Sequence, residues 1–187
     1  MAAFLHDPAD SVLVLVDLQQ NMMAAIEDGD AVLARARYLA RCARLLGVPV
    51  LATEQIPSKL GPTAAPIAEL LADGSLFAKA SFSCTRSLDF MDALRGTWRK
   101  QVVLAGVEAH ICVLQTALDL RAQGFEVTVA EDATGSRNAA RKQAGLQRAL
   151  SGGCQTAHAE SIVYEWLGDA NHEKFREVLQ ATKEAPL

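Results

Sequence analysis

The 187-residue chain is 50% hydrophobic and 21% charged, values typical of one globular domain with a full apolar core, and we predict a single domain over residues 1–187. Its formal net charge of -4, with no run of lysines or arginines, argues against binding to nucleic acid or to an anionic membrane surface. Small-molecule chemistry or protein contacts remain as the expected functions.

The first ten residues, MAAFLHDPAD, contain neither a basic segment nor a long apolar stretch, and nowhere in the chain do 18 apolar residues follow one another. We therefore predict neither a signal peptide nor a membrane span, and expect a cytoplasmic protein. The cysteines are far apart and form no CxxC pair: Cys42, Cys84, Cys112 and Cys154. This spacing argues against a disulfide framework and a zinc ribbon, so each cysteine is considered as a separate thiol.

Apolar runs of strand length alternate with segments of helical periodicity along the chain. The first run, SVLVLVDLQ, is almost continuously apolar, as expected for a parallel strand covered on both faces. The predicted strands span residues 11–19, 48–55, 76–83, 101–107, 125–132 and 154–163. The predicted helices span residues 30–46, 66–73, 87–96, 109–123, 136–150 and 171–183, and a loop spans 56–66.

Strands separated by helical crossovers predict right-handed βαβ units and a three-layer α/β/α fold with a six-stranded, mainly parallel sheet. We expect the Rossmann-like strand order 3-2-1-4-5-6 for this sheet. Ligands of such sheets bind beyond the carboxyl ends of the strands, where the strand order reverses. The candidate site therefore lies between the first and fourth strands.

Three side chains with catalytic potential fall near this edge. Asp17 lies near the end of the first strand, Lys79 lies in the third, and Cys112 lies in the first turn of the helix after the fourth. Each also has a structural interpretation: a carboxylate that caps a turn, a snorkelling lysine, or a buried apolar cysteine. A lysine within the strand LFAKASF would pay a desolvation cost that a nearby carboxylate offsets, which favours a site where the three meet.

This combination suits nucleophilic catalysis. A helix N-terminus and a nearby cation lower the pKa of a thiol, so we expect Cys112 beside Lys79 to be largely thiolate near neutral pH. Asp17 would accept the thiol proton and return it to a leaving amine. His110 is two residues from Cys112 and points to another side of the helix, so it is a poor candidate for the base. The strand-to-helix elbow in GVEAHIC would offer backbone N–H groups to an oxyanion.

Three segments resemble the catalytic blocks of the isochorismatase-like cysteine hydrolases, in the right order: VLVLVDLQQNM, FAKASFS and LAGVEAHICVLQTALDLRAQGFEVTVAEDATGSR. The resemblance extends from about residue 10 to 180, and it implies a catalytic triad of Asp17, Lys79 and Cys112. It also implies a non-proline cis peptide between Val107 and Glu108, and an oxyanion hole made of the N–H groups of Glu108 and Cys112.

The resemblance separates subgroups of this family. Nicotinamidases place an Asp and two His after the second strand to bind a metal, but no histidine occurs between Asp7 and Ala109, so neither a metal site nor another cofactor is predicted. Isochorismatases of the phenazine type lack the nucleophilic cysteine. The segment LATEQIPSKLGPT resembles the branch that includes the isochorismatase domain-containing proteins.

Several other residues are candidates for contact with substrate, and each has an equally plausible structural role: Gln19, Gln55, Phe82, Val107 and Thr134. Cys84 lies near the end of the third strand, where a structural thiol is the simpler interpretation. The family resemblance further implies a homo-oligomer with an interface near the site, so either the loop 56–66 or a neighbouring subunit would close the pocket.

Two functions remain open at this point. The first is a metal-independent hydrolase that acts on a small amide or related acyl compound through a Cys112 thioester. The alternative is a catalytically silent binding or interaction module on the same fold. A redox role for Cys112, with Cys84 as its resolving partner, is a third option.

Overall fold

The structure is a computed structural model that describes residues 5–185. Its strands are β1 (Ser11–Val16), β2 (Val50–Gln55), β3 (Leu76–Lys79), β4 (Gln101–Val107), β5 (Glu126–Gly135) and β6 (Gln155–Ala157). Its α-helices are α1 (Gln20–Met23), α2 (Gly29–Leu45), α3 (Pro57–Leu60), α4 (Ala65–Ala68), α5 (Leu88–Gly96), α6 (Leu114–Ala122), α7 (Ala139–Ser151), α8 (Ala159–Leu167) and α9 (Phe175–Glu184). A 3-10 turn (Cys84–Arg86) precedes α5, and a π-helical turn (Ala109–Val113) precedes α6.

The strands form one sheet in the order β3-β2-β1-β4-β5-β6, and every neighbouring pair is parallel. This confirms the predicted strand order and the α/β class. The chain leaves β1 towards one edge of the sheet and returns at β4 towards the other, so the order reverses between β1 and β4. In sheets of this order, ligands commonly bind at the carboxyl ends of these two strands.

Side chains of each central strand alternate between two apolar layers. In β1, Leu13 and Leu15 pack in the layer that contains buried residues of α2, α8 and α9. Val12, Val14 and Val16 pack in the layer that contains buried residues of α5, α6 and α7. Both faces of the strand are therefore covered, which accounts for its continuous apolar sequence.

The prediction of a strand over residues 154–163 is wrong in its second half, because β6 ends at Ala157 and α8 begins at Ala159. The carboxylate Oδ1 of Asp132 accepts a hydrogen bond of 2.7 Å from the Ala159 N–H and so satisfies a free donor at the start of this helix. The apolar residues of the segment are buried at helical rather than alternating spacing: Ala159, Ile162, Val163 and Trp166.

The third strand also ends earlier than predicted, at Lys79. The main chain beyond it turns away from the sheet, and the Ala80 carbonyl accepts a hydrogen bond of 2.8 Å from the Gln55 side chain instead of a strand partner. The predicted loop 56–66 contains the short helices α3 and α4. No helix within residues 5–185 combines the length and the hydropathy needed to cross a bilayer.

Candidate active site

The parallel register brings three strand ends together at the switch point. Val16, the last residue of β1, pairs with Thr53 of β2 on one side and with Gly106 of β4 on the other. Gln55, the last residue of β2, pairs with Lys79 of β3. Asp17 follows Val16 directly, so a carboxylate lies beside the carboxyl end of β2, and a lysine lies one strand further out.

Asp17 is fully buried and adopts a left-handed backbone conformation with φ of 56°. Its main-chain N–H donates to the Thr53 carbonyl at 3.1 Å. Its carboxylate accepts a hydrogen bond from the Thr53 hydroxyl (2.8 Å) at Oδ1 and from the Lys79 ammonium group (2.7 Å) at Oδ2. Burial of this charge is therefore compensated by a paired cation and a second donor.

Lys79 reaches inward across β2, as its position two strands from β1 requires. Its Nζ also donates to Gln55 Oε1 at 2.8 Å and to the Ser81 carbonyl at 3.3 Å. These two contacts and the Asp17 contact use the three donors of an ammonium group. The lysine is therefore an internal cation with defined partners, and the interpretation of Lys79 as a snorkelling residue is wrong.

Cys112 lies in the π-helical turn after β4 and is only 3% exposed. The main chain of this turn packs tightly against α7 at Gly145, where a Cβ would lie 2.6 Å from the Ala109 carbonyl oxygen. Gly106, in β4 before the turn, has φ of +141°, and a Cβ there would lie 2.2 Å from the Val16 carbonyl oxygen. These two close approaches hold the turn against β1 and α7.

The ionisation of Cys112 differs from the prediction. Burial raises the pKa of the Cys112 thiol well above its ordinary value, the negative charge of Asp17 and a hydrogen bond to Asp17 raise it further, and the positive charge of Lys79 lowers it. The expectation that Cys112 is largely thiolate near neutral pH is wrong, because the desolvation and the carboxylate outweigh the cation. The structure brings the three residues together with the cysteine as a neutral thiol on which the charges of Asp17 and Lys79 act.

The predicted cis peptide between Val107 and Glu108 is also wrong, because residues 5–185 contain no cis peptide bond. Glu108 instead turns the chain with a left-handed conformation at φ of 57°. Its carboxylate contacts Arg137 Nε at 2.8 Å and His110 Nδ1 at 3.3 Å. His110 Nδ1 also lies 3.1 Å from the Ser136 hydroxyl, and burial lowers its pKa, so this ring is engaged with the segment after β5.

The candidate substrate contacts fall into different environments. Gln19 is buried and donates to the carbonyls of Gln55 (3.2 Å) and Gly61 (2.6 Å), and it accepts from the Gln55 N–H (2.7 Å). It thus ties β2 to the segment after α3. Gln55 is buried and holds Lys79. Both side chains therefore support the site rather than present free polar groups to it.

The remaining candidates differ in exposure. Phe82 is 53% exposed on the segment between β3 and α5, so its ring is available to a ligand or a protein surface. Val107 is fully buried in the apolar layer that contains α2, on the sheet face opposite Cys112. Thr134 is fully buried, and its hydroxyl has no hydrogen-bond partner among the described residues.

Thr53 is a residue of the site that the sequence patterns missed, and Cys84, for which a structural thiol was the simpler interpretation, lies beside it. The thiol of Cys84 is fully buried and lies 3.5 Å from the Thr53 hydroxyl, and the positive charge of Lys79 acts on it. One sequence signal was present, because β2 ends in the polar residues Thr53, Glu54 and Gln55 after an apolar start. All three are buried, and buried polar side chains are stable only when they have hydrogen-bond partners.

No group of three or more His, Cys, Asp or Glu side chains within the described part of the chain is arranged to hold a metal ion. The polar groups around Asp17 are a lysine, a threonine hydroxyl and a thiol. A buried ammonium group beside the carboxylate occupies the position that a cation would take.

The sheet order and the buried Asp-Lys pair beside a thiol at the switch point define an α/β protein with a potential nucleophile at the carboxyl edge of its sheet. The isochorismatase domain family model matches residues 11–161. The chain therefore belongs to the isochorismatase domain family.

Curated relatives include isochorismatase domain-containing protein 2 of Pongo abelii, 37% identical over 182 residues, which cover 95% of this chain and 85% of that protein. Isochorismatase domain-containing protein 1 of Salmo salar is 35% identical over 178 residues, which cover 94% of this chain and 62% of the relative. The chain thus spans less than two thirds of the length of the Salmo salar protein.

Two solved structures have the same fold over nearly their whole length. The MAR1 ribonuclease from Caenorhabditis elegans has a TM-score of 0.92 and 32% identity, with 98% of this chain and 95% of that chain covered. YcaC from Pseudomonas aeruginosa, determined with hexane-2,5-diol and covalent acrylamide, has a TM-score of 0.91 and 25% identity, with 97% and 93% covered.

Proposed function

We propose that this member of the family is a metal-independent cysteine hydrolase that cleaves a small amide or a related acyl compound. The observation that carries the proposal is the buried contact of Asp17 with Lys79, beside the Cys112 thiol on which the charges of both residues act. A thiol, a carboxylate that accepts its proton and a cation that balances the charge are the parts that nucleophilic acyl transfer requires.

The first half of the reaction forms a thioester. As Cys112 Sγ attacks the carbonyl carbon, its proton passes to Asp17, and the carbonyl oxygen becomes an oxyanion. The N–H groups of Glu108 and Cys112, at the turn between β4 and α6, are the proposed donors to that oxygen. The tetrahedral intermediate collapses, the C–N bond breaks, and Asp17 returns the proton to the leaving amine.

The second half restores the enzyme. A water molecule attacks the thioester carbon and gives a proton to Asp17, the C–S bond breaks, and the proton returns to Cys112 Sγ as the carboxylic acid leaves. Lys79 remains an ammonium group throughout and balances the negative charge that is shared between Asp17 and Cys112. Because the raised thiol pKa keeps the cysteine protonated before attack, proton transfer to Asp17 accompanies bond formation.

Covalent labelling and turnover test this proposal together. The YcaC structure was determined with covalent acrylamide, so acrylamide is a suitable small electrophile, and the labelled site is found by mass spectrometry. We expect one adduct at Cys112 in the wild type and none at any cysteine in Cys112→Ala. Cys154→Ala, which removes another buried thiol, serves as the matched control and should label like the wild type. An unchanged labelling pattern in Cys112→Ala contradicts the proposal.

A panel of amides, carbamoyl compounds and vinyl ethers then separates an enzyme from a binding module. Turnover of any of these compounds at ordinary rates, lost in Cys112→Ala, excludes the silent module. Labelling of Cys112 without turnover across the panel would favour the module, since the triad would then persist without its reaction.

An RNA substrate is a second candidate, because the C. elegans structure with 32% identity is that of a ribonuclease. The net charge of -4 does not favour a polyanion, since nucleic-acid binding is dominated by contacts to phosphates. Incubation of wild-type and Cys112→Ala protein with a labelled single-stranded RNA decides between the substrates. RNA cleavage that survives in Cys112→Ala would show that a different site performs it.

Self-association is also part of the proposal, with Phe82 and Leu88 as its first candidate contacts. Phe82, between β3 and α5, and Leu88, the first residue of α5, are 53% and 80% exposed, and an interface between copies of the chain at this place would cover both side chains. Light scattering of the wild type and of Leu88→Ser tests this. A monomeric wild type at micromolar concentration contradicts it.

A further inference from the structure

Thr53 contacts Asp17 at two points. Its carbonyl oxygen accepts a hydrogen bond from the Asp17 main-chain N–H at 3.1 Å, and its hydroxyl donates to Asp17 Oδ1 at 2.8 Å. Thr53 is itself 1% exposed, and its strand pairing with Val16 fixes its main chain. One residue of β2 thus holds both the backbone and the carboxylate of Asp17, whose left-handed conformation is uncommon for a residue with a side chain.

The direction of the hydrogen bonds around Thr53 follows from the number of hydrogens available. An ionised carboxylate only accepts, so the single hydroxyl hydrogen of Thr53 is used in the bond to Asp17. In the 3.5 Å contact between Cys84 Sγ and Thr53 Oγ1, the thiol must therefore donate. Burial raises the pKa of Cys84, which keeps that hydrogen in place. The chain of donors runs from Cys84 through Thr53 to Asp17.

Cys84 is fixed in turn by the segment that carries the nucleophile. Its main-chain N–H donates to the Thr116 hydroxyl at 3.0 Å, and that hydroxyl donates to the Cys112 carbonyl at 2.7 Å. The hydrogen bonds therefore connect the main chain of Cys112 with the carboxylate of Asp17 by a route separate from Lys79. All of these residues are buried, so water does not compete for the contacts.

We propose that Thr53 is a positioning residue, which orients the Asp17 carboxylate towards Cys112, and that Cys84 orients the Thr53 hydroxyl. The inference rests on the proposed function, in which Asp17 takes the proton of Cys112. It assigns Oδ1 of Asp17 to Thr53 and leaves Oδ2 to Lys79. Cys84 then serves as a hydrogen-bond donor and takes no part in bond formation.

The test is the pH dependence of Cys112 alkylation by iodoacetamide in Thr53→Val. This change keeps the shape of the side chain and removes the donor. Without the hydroxyl, the Asp17 carboxylate is no longer oriented towards the thiol and accepts its proton less effectively. Alkylation then depends more on free thiolate, which forms only at high pH because burial raises the pKa of Cys112. We expect the alkylation profile to move to higher pH by about one unit, with a rate at neutral pH roughly tenfold lower. Thr53→Ser should restore the wild-type profile.

Thr128→Val is the matched control. Thr128 is also a buried strand threonine, on β5, and its hydroxyl lies 2.9 Å from Nε2 of the His6 ring. This variant should lose stability without a displaced alkylation profile. Cys84→Ala provides a second test if Thr53→Val does not fold. It should displace the profile in the same direction by about half a unit, or roughly threefold in rate.

The outcomes separate this inference from the proposed function. A wild type that is not alkylated at Cys112 contradicts the function itself. If the wild type reacts and Asp17→Asn alters the profile, but Thr53→Val gives the wild-type profile, the positioning role of Thr53 is wrong and the function stands. A Thr53→Ser variant that behaves like Thr53→Val contradicts the role of the hydroxyl, and an unchanged Cys84→Ala profile contradicts the role of Cys84.

Discussion

The carboxylate of Asp17 and the ammonium group of Lys79 lie 2.7 Å apart, and 0% and 1% of the two side chains are exposed. Such a pair gains little stability over apolar residues of the same volume, because both ions lose their hydration. The pair lies at the switch point of the sheet, next to a thiol whose pKa it modulates, and a catalytic role for it is part of the proposed function.

Lys79→Met should slow the alkylation of Cys112 at neutral pH. The cation lowers the thiol pKa against the effects of burial and Asp17, so its removal raises that pKa, reduces the thiolate fraction and moves the profile to higher pH. The pH dependence of iodoacetamide alkylation measures this, with Cys112→Ala to confirm the site. Lys174→Met, which removes an exposed lysine paired with Glu177, is the control. Superimposable curves for wild type and Lys79→Met would contradict the triad.

The same substitution should also reduce stability. It leaves the Asp17 charge buried without its cation, which typically costs about 3–5 kcal/mol in the free energy of unfolding. The double variant Lys79→Met with Asp17→Asn should recover part of this loss, because the uncompensated charge is gone. Urea-induced unfolding measures both variants. A double variant less stable than Lys79→Met would argue against a purely electrostatic cost.

Alkaline pH should destabilise the protein through its buried thiols. Burial raises the pKa of Cys42 from 9.0 to about 12 and that of Cys154 from 9.0 to about 11. Because these values are higher in the folded chain, their stabilising contribution is complete below pH 9 and is lost as the pH rises through 9 to 12. The free energy of unfolding, measured in urea at pH 7.5 and pH 10, should fall. The fall should be smaller in Cys42→Ala, and an equal fall would exclude a contribution from this thiol.

Gly106→Ala should destabilise the fold by at least about 2 kcal/mol. The residue has φ of +141°, and its new Cβ would lie 2.2 Å from the Val16 carbonyl oxygen, which is backbone and cannot rotate away. Gly96→Ala is the control, since a Cβ at this helical residue of α5 meets no atom of the described chain within 4 Å. Alanine there should be neutral or stabilising. Equal midpoints of thermal unfolding for the two variants would contradict the steric argument.

His6→Ala should cost about 1–3 kcal/mol of stability. The buried ring contacts the Glu165 carboxylate through Nδ1 and the Thr128 hydroxyl through Nε2, and its removal leaves both groups without this partner. Chemical denaturation of His6→Ala measures the loss. His172→Ala, at a partly exposed histidine whose Nδ1 accepts a hydrogen bond from the Lys174 N–H, should cost less. A larger loss at His172 would show that burial of His6 is not the cause.

The amino-acid sequence alone determined the class of fold and the place of the candidate site. Apolar runs such as SVLVLVDLQ are typical of a strand that is covered on both faces, and helices between such strands favour parallel pairing. The strand order then follows from common topology, and the switch point follows from the order. Asp17, Lys79 and Cys112 were identified because charged and nucleophilic groups near that edge are costly unless they meet.

The ends of the helices and strands were harder to predict from the sequence. The apolar residues after Cys154 fit a strand or a short helix equally well, and α8 was decided by the Asp132 carboxylate, which belongs to a different part of the chain. A local pattern does not contain such a partner. The third strand ends at Lys79 for the same reason. The Gln55 side chain, which belongs to β2, donates a hydrogen bond to the Ala80 carbonyl, and in a longer strand that carbonyl would accept from a strand partner.

Only the tertiary structure decided the protonation of Cys112 and the roles of Thr53 and Cys84. A helix N-terminus and a lysine predict a thiolate, but the thiol pKa depends on all the atoms that replace water around it, and these come from β1, β3 and the turn after β4. Thr53 is one polar residue among three at the end of β2 in the sequence. Its two contacts with Asp17 exist only because the parallel register sets it beside Val16, and the desolvation of the site makes each of those contacts matter.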